Sequence, residues 1–328
     1  VGQVTMAQAL NTALRDSLRA DPNVLVFGED VGALGGVFRI TEGLAAEFGE
    51  QRCFDSPLAE AGIVGTAVGM AMYGFRPVVE MQFDAFAYPA FEQITSHAAK
   101  LRNRTRGAVE LPMVIRIPYG GGIGGVEHHS DSSEAYYTHT PGLTVVSPAT
   151  PADAYSMLQE AITAADPVVF LEPKRRYWTK AEVELPAATE PMHRAVIRRA
   201  GTDVTLLAYG PMVATAMEAA EAARTEEGRD VEVVDLRSLS PLDEDTVCAS
   251  VRKTGRAVIV HEAPVFGGYG AEVAATINRR CFHYLEAPVA RVGGFDIPYP
   301  SPKLEEHHLP HTGRILDAIA ELQWEEDR

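Results

Sequence analysis

The sequence is poor in cysteine. It has three in 328 residues, and Cys53, Cys248 and Cys281 show no Cys-x-x-Cys spacing. That argues against a disulfide framework or a thiolate zinc site and fits a reducing compartment, the cytoplasm. Positive charge is also scarce: 29 Lys+Arg stand against 45 Asp+Glu, a formal charge of −16. Phosphate-backbone binding needs a basic face, so no nucleic acid is expected as a partner and basic proteins are favoured. Long apolar runs are missing too. The longest strongly apolar uncharged one, Ala61 to Phe75, falls short of the ~20 residues of a spanning helix, so no membrane is expected. The start of the chain is amphipathic, with Arg15 and Asp16 inside it, unlike a secretory signal. The first strand runs into Gly28-Glu29-Asp30-Val31-Gly32 without a Gly-x-Gly-x-x-Gly, and no Gly-x-x-x-x-Gly-Lys-Ser/Thr occurs. A nicotinamide or nucleotide enzyme is therefore disfavoured.

What is present is alternation of strand and helix. Thr5 can cap a helix in which Met6, Ala9, Leu10, Ala13, Leu14 and Leu18 recur at helical spacing. Strand Val24–Phe27, helix Ala61–Tyr73, strand Val78–Phe83, helix Ala90–Leu101 and strand Met113–Ile117 follow. A glycine-rich loop, strand Thr144–Ser147, helix Asp153–Ala164 and strand Val168–Leu171 complete a first half. Near-continuous apolar strands between helices imply a mostly parallel sheet covered on both faces. After an aperiodic stretch with Pro186 and Pro191, the alternation resumes at Val204–Ala208 and continues to a last helix, Arg314–Leu322. The expectation is two doubly wound α/β domains, 1–180 and 198–328, joined by a linker over 181–197.

Three features could carry chemistry. Glu60 stands alone at the mouth of the uncharged Ala61–Phe75 stretch. It can be a first-turn acid favoured by the helix dipole, or a partly desolvated carboxyl able to share a proton near neutrality. Gly62, Gly65 and Gly69 leave that helix a nearly bare side suited to a tight subunit interface. Phe83, Phe86, Tyr88 and Phe91 cluster after a strand, at the edge where open α/β sheets bind ligands, or else they are ordinary core. The loop Tyr119 to Ser130 places five glycines before His128 and His129. So much glycine marks close backbone approach or movement, and a histidine at its end could donate a proton or simply be solvated. The adjacent pair lacks metal-site spacing.

At this point the chain resembles, over essentially its whole length, the beta chains of the pyruvate and branched-chain 2-oxo acid dehydrogenase complexes. The resemblance rests on Phe27-Gly28-Glu29-Asp30-Val31, Pro57-Leu58-Ala59-Glu60, Gln82-Phe83, Pro89-Ala90-Phe91-Glu92-Gln93-Ile94, His129-Ser130 and Pro141-Gly142-Leu143. In the second half Asp235 to Asp243 and His261-Glu262 add to it. It implies a transketolase-like pyrimidine-binding domain followed by a transketolase C-terminal-type domain, the latter serving assembly and core docking. The implied cofactor is thiamine diphosphate, shared with an alpha chain that holds the magnesium. Glu60 then falls where the family's glutamate bonds the aminopyrimidine N1′, which lets the cofactor's own amino nitrogen take the thiazolium C2 proton. Phe86 falls where an aromatic ring stacks on the pyrimidine, with Leu58 and Gln82 also at the cofactor. His129 falls where a histidine assists acyl transfer to the lipoyl group, and Glu92 resembles an acid placed between two active sites. Met113, Ala161, Ile162, Ala164 and Asp166 align with a potassium site built largely from backbone carbonyls, although Ala164 and Asp166 depart from the usual residues.

The implied assembly is two alpha and two beta chains that deliver acyl groups to a lipoyl-bearing acyltransferase core protein. The segment Phe170 to Tyr177 looks more like branched-chain enzymes, so 2-oxoisovalerate is the expected substrate, with pyruvate or acetoin as the alternative. A one-chain transketolase is disfavoured because no Gly-Asp-Gly with a following Asn occurs. A non-catalytic assembly subunit is the alternative of another class. Glu305-Glu306 and the tail Glu321, Glu325, Glu326 and Asp327 suggest an acidic docking face for the core protein.

Overall fold

The computed structural model describes residues 2–322. Up to Tyr119 and again over Tyr136–Met192 the chain forms one compact unit; Gly120–Ala135 and the chain from His193 onward form another. The glycine-rich loop thus belongs with the later part of the chain.

In the first unit a parallel sheet runs in the order Thr144–Val146, Val168–Pro173, Val114–Tyr119, Arg76–Glu80, Val24–Gly28 and Cys53–Asp55. Its central strands are buried along their whole length, as strands covered on both faces must be. Helix Met6–Ala20 starts as its sequence predicts. Thr5 Oγ1 accepts from Gln8 N at 3.1 Å, and Gln8 Oε1 accepts from Thr5 N at 2.9 Å, closing a capping box. The periodic residues Met6, Ala9, Leu10, Ala13, Leu14 and Leu18 all enter one apolar cluster. Helix Glu60–Met72 also lies where expected, with Glu60 as its first residue.

The helix expected over Ala90–Leu101 is present and runs from Phe91 to Arg104, with a wider-wound stretch inside it and a 3-10 turn before it. A 3-10 turn, Ala85–Ala90, contains Pro89; a wider-wound turn, Gln93–Ala98, follows; an α-turn, Ala99–Arg104, closes it. Proline has no amide hydrogen to give, and Thr95 Oγ1 donates to Phe91 O at 2.8 Å, which loosens the next turn. Part of the stretch read as linker is ordered sheet: Lys180–Val183 pairs antiparallel with Gly2–Thr5.

In the second unit the strand order is Ala290–Gly294, Ala257–Pro264, Val204–Ala208, Val231–Asp235 and Val196–Arg199, parallel except for the last. Helices Met212–Ala222, Glu244–Thr254, Gly270–Cys281 and Thr312–Ala320 connect or flank these strands. Each unit therefore shows the alternating α/β build that the sequence predicts. Among the described residues no helix is long and apolar enough to cross a membrane. Of the expected acidic face, Glu325, Glu326 and Asp327 lie outside the described residues, and Glu305 departs from expectation: it is buried, at 8% exposure.

Candidate functional site

In the first unit three neighbouring parallel strands end together, at Glu80, Gly28 and Asp55. The residues that follow those ends form the candidate site, because parallel strands deliver their succeeding loops to one sheet edge. Gln82 Nε2 donates to Asp30 Oδ2 at 3.0 Å. The Asp55 carboxylate accepts from Gly32 N at 2.6 Å and Ala33 N at 3.3 Å, fixing the loop after the first strand. Ser56 N donates to Gly28 O at 2.9 Å, which sets the course of the chain toward Glu60.

Glu29 is the residue that the sequence marks only as part of a family motif. Burial raises its carboxyl pKa, and the charges of Glu60 and Asp30 push it further up. The charge of Glu60 is thus felt at Glu29. Ala59, just ahead of it, lines a cleft of about 300 Å3 whose other walls include Phe27, Phe54, Asp55 and Ile63, with no Lys, Arg or His among them. Phe27 and Phe54 stack there with ring centroids 4.9 Å apart. Phe86 is half-buried and meets Phe83 edge-on at 5.3 Å. Phe83 in turn meets Phe38 at 5.5 Å, so the aromatic cluster serves the core as well as the edge. Leu58 is 80% exposed and Glu92 is exposed.

Behind this edge lies a buried ion-pair group that periodicity does not reveal. Arg116, fully buried, gives Nη1 to Glu80 at 2.6 Å and Nε and Nη2 to Glu172 at 2.6 and 2.9 Å. Tyr177 donates to Glu172 at 2.6 Å. Burial works against the guanidinium charge, but the two carboxylates outweigh it and hold Arg116 protonated. Glu172 and Tyr177 belong to the segment that carries the branched-chain resemblance, and Lys174 there is buried too. These side chains brace the sheet.

His129 sits in the second unit, half-buried at the end of a single 3-10 turn, Glu127–His129. Its amide donates to Val126 O at 2.9 Å, and its ring lies 4.4 Å from that of His128. His128 is exposed and approaches Glu127 at 3.6 Å. Two further residues of this unit carry perturbed groups. Burial pushes the Glu134 carboxyl up to about 7, against the hydrogen bond it accepts from Tyr209 at 2.6 Å. Burial also pulls His261 down to about 4, so its ring is neutral at pH 7.

The residues aligned with a potassium site do not fit a resident cation. Arg76 Nη1 donates to Ile162 O at 3.1 Å and to Ala164 O at 3.3 Å. Met113 O accepts from Val168 N at 3.0 Å, and Ala161 O accepts from Ala164 N at 3.3 Å. Asp166 pairs with Arg102 at 3.0 Å. A guanidinium already supplies the positive charge that the carbonyl dipoles attract, and it would repel a second cation. Replacing potassium by sodium or choline is therefore expected to leave the thermal midpoint unchanged. Arg76→Ala should lower stability by about 1.5–3 kcal/mol, the worth of charge-assisted hydrogen bonds, and make the midpoint respond to potassium. A potassium-dependent midpoint in the unsubstituted chain would overturn this account.

The comparisons with known proteins agree with this build. Residues 2–179 match the transketolase pyrimidine-binding domain and residues 193–315 the transketolase C-terminal domain. A Leifsonia xyli subsp. xyli protein named pyruvate dehydrogenase E1 component subunit beta is 56% identical, covering 97% of this chain and 94% of its own length. A Mycobacterium tuberculosis protein named 3-methyl-2-oxobutanoate dehydrogenase subunit beta is 55% identical, covering 96% and 91%. A solved structure titled split gene transketolase, inactive beta4 tetramer, superposes with a TM-score of 0.81 at 26% identity and covers 98% of both chains. With both domains matched in order and full-length relatives above half identity, the chain belongs to the family of beta subunits of the 2-oxo acid dehydrogenase E1 component, an oxidoreductase family built on transketolase domains.

Proposed function

We propose that this chain is the beta half of a thiamine-diphosphate-dependent 2-oxo acid dehydrogenase, active only with an alpha chain and acting on 2-oxoisovalerate and its homologues. The observation that carries the reading is Glu60 at the head of an apolar helix, beside a buried Glu29 whose proton affinity it raises. A carboxyl in that setting can hold a hydrogen bond to a weakly basic ring nitrogen and pass a proton along it. When bound, the cofactor would supply a nucleophilic carbon for the 2-oxo group. Glu60 would hold the pyrimidine end, Gln82 and Leu58 would flank it, and Phe86 would offer an aromatic face. His129 would give a proton to the lipoyl sulfur released when the dithiolane S–S bond breaks and the other sulfur takes the acyl carbon.

The side chains at the sheet edge fit an aromatic heterocycle and do not fit two phosphates, because the cleft beside Ala59 has no cationic lining. The diphosphate and magnesium would then fall to the alpha chain. Helix Glu60–Met72 supports such an assembly. Gly62, Thr66, Gly69 and Met72 are exposed on one side, and Tyr73 beyond it is 85% exposed, a bare apolar face in need of a partner. The acyl acceptor would be the lipoyl-bearing core protein.

Substrate choice rests on the Phe170–Tyr177 resemblance and on the name carried by the Mycobacterium tuberculosis relative. Steady-state kinetics with a matched alpha chain should give the highest kcat/KM on 2-oxoisovalerate; preference for pyruvate would shift the assignment to the other named relative's activity. In the same assembly His129→Ala should cut acyl transfer to a lipoyl domain by roughly 10²–10⁴-fold, the usual worth of a general acid. Decarboxylation measured with an artificial electron acceptor should be largely kept. Equal losses in both half-reactions would remove His129 from the acyl-transfer step.

A further inference from the structure

The glycine-rich loop is built as an anion cradle, and the chain fills it with its own carboxylate. Gly120, Gly122 and Gly124 have φ of +81°, +81° and +70°, while Gly121 between the first two has no positive φ. Left-handed residues recurring at every second position turn successive amides toward one side, which makes a concavity that binds negative charge. Within the second unit, Glu305 occupies it. Oε2 accepts from Gly122 N at 3.0 Å and Oε1 from Gly124 N at 3.2 Å. Tyr299 donates its hydroxyl to Glu305 Oε2 at 2.8 Å and accepts from Gly122 N at 3.2 Å. Gly121 N is taken by Glu262 Oε2 at 2.9 Å. The fit is close: a Cβ on Gly121 would stand 1.8 Å from the Tyr299 hydroxyl. Downstream, Gly125 lies against the same turn, where a Cβ would meet His129 Cβ at 3.1 Å and Ser130 Oγ at 3.2 Å.

We infer that Glu305 and Tyr299 are positioning residues for His129: the carboxylate clamps the loop by its amides, and the tyrosine holds the carboxylate in place. Each carboxylate oxygen takes one amide, so Glu305 fixes Gly122 and Gly124 together. A glutamine there keeps one acceptor and turns a donor toward the other amide. Burial and the bond to Glu305 raise the Tyr299 pKa, so the hydroxyl keeps its proton and remains a donor at working pH. An acid-transfer step is sensitive to such anchoring, since misplacing a catalytic group by ~1 Å can cost about 10²-fold. This proposal rests on the assignment of His129 to acyl transfer.

The test uses the chain assembled with its alpha partner and a lipoyl domain as acceptor. Glu305→Gln should lower kcat for lipoyl acylation by about 10²-fold, with decarboxylation to an artificial acceptor kept, and should speed amide exchange over 121–130. Tyr299→Phe should give a smaller loss of the same kind. The deciding variant is the double one. If Glu305 acts through His129, then Glu305→Gln added to His129→Ala costs no further acylation, because the group being positioned is already gone. Multiplied losses, unchanged loop exchange, or equal falls in both half-reactions would overturn the clamp. If His129→Ala alone leaves acylation intact, the functional assignment has failed instead, and the exchange measurement still shows whether Glu305 holds the loop.

Discussion

Glu60→Gln is expected to abolish decarboxylation while the protein stays folded. The change keeps volume and shape and removes one charge from the first turn of helix Glu60–Met72, where a carboxylate's interaction with the helix dipole is worth ~0.3–1 kcal/mol. Catalysis loses far more. A positioned acid or base contributes roughly 10²–10⁴-fold, and glutamine cannot relay a proton. Exchange of the cofactor's C2 hydrogen should slow with turnover, and near wild-type exchange would remove Glu60 from the site. The substitution should also be felt at Glu29. Its carboxyl pKa is raised in the folded state, so stability is greatest below the ordinary glutamate pKa and is lost as pH rises through the raised one. With Glu60 neutral, one of the charges raising Glu29 is gone, and that loss should shrink.

Arg116→Met should be the most destabilising single substitution of the first unit. Glu80 and Arg116 face each other across adjacent strands, and the guanidinium spans to Glu172, all three side chains at 3% exposure or less. Methionine fills much of the space but leaves two buried carboxyls without their cation, a change that costs about 3–5 kcal/mol. Chemical denaturation should read that loss. Adding Glu80→Gln and Glu172→Gln should recover part of it, because the uncompensated charge is then gone. A single-variant loss under ~1 kcal/mol, the range of exposed pairs, would show that the network is not the brace described here.

Legibility of the fold followed the physics of its elements. Helix Met6–Ala20 could be read because its cap, its box partner Gln8 and its apolar stripe are all local. The helix expected over Ala90–Leu101 is there, but its wider winding over Gln93–Ala98 was not legible, because Thr95 acts on the backbone, which periodicity does not register. Glu60 stood out as the one charge before an apolar helix. Glu29, Glu305 and Tyr299 did not, since each matters through partners distant in sequence: Glu305 meets Gly122 across 183 residues. Likewise Glu305 beside Glu306 reads as a surface acidic run until burial shows where its carboxylate goes. Arg116, Glu80 and Glu172 look like ordinary strand charges until the sheet order Arg76–Glu80, Val114–Tyr119, Val168–Pro173 brings them together.

The proposal gives this chain half of a cofactor site, with acid and aromatic groups for the pyrimidine and no cationic lining for the phosphates in the cleft beside Ala59. Unsatisfied phosphate charge in a closed site is costly, so the cofactor should not bind to this half alone. Calorimetric titration of thiamine diphosphate with magnesium, into the isolated chain and into the chain assembled with its alpha partner, tests this directly. The account predicts no binding to the isolated chain at micromolar cofactor and tight binding with turnover in the assembly. Tight binding and turnover by the isolated chain would contradict it.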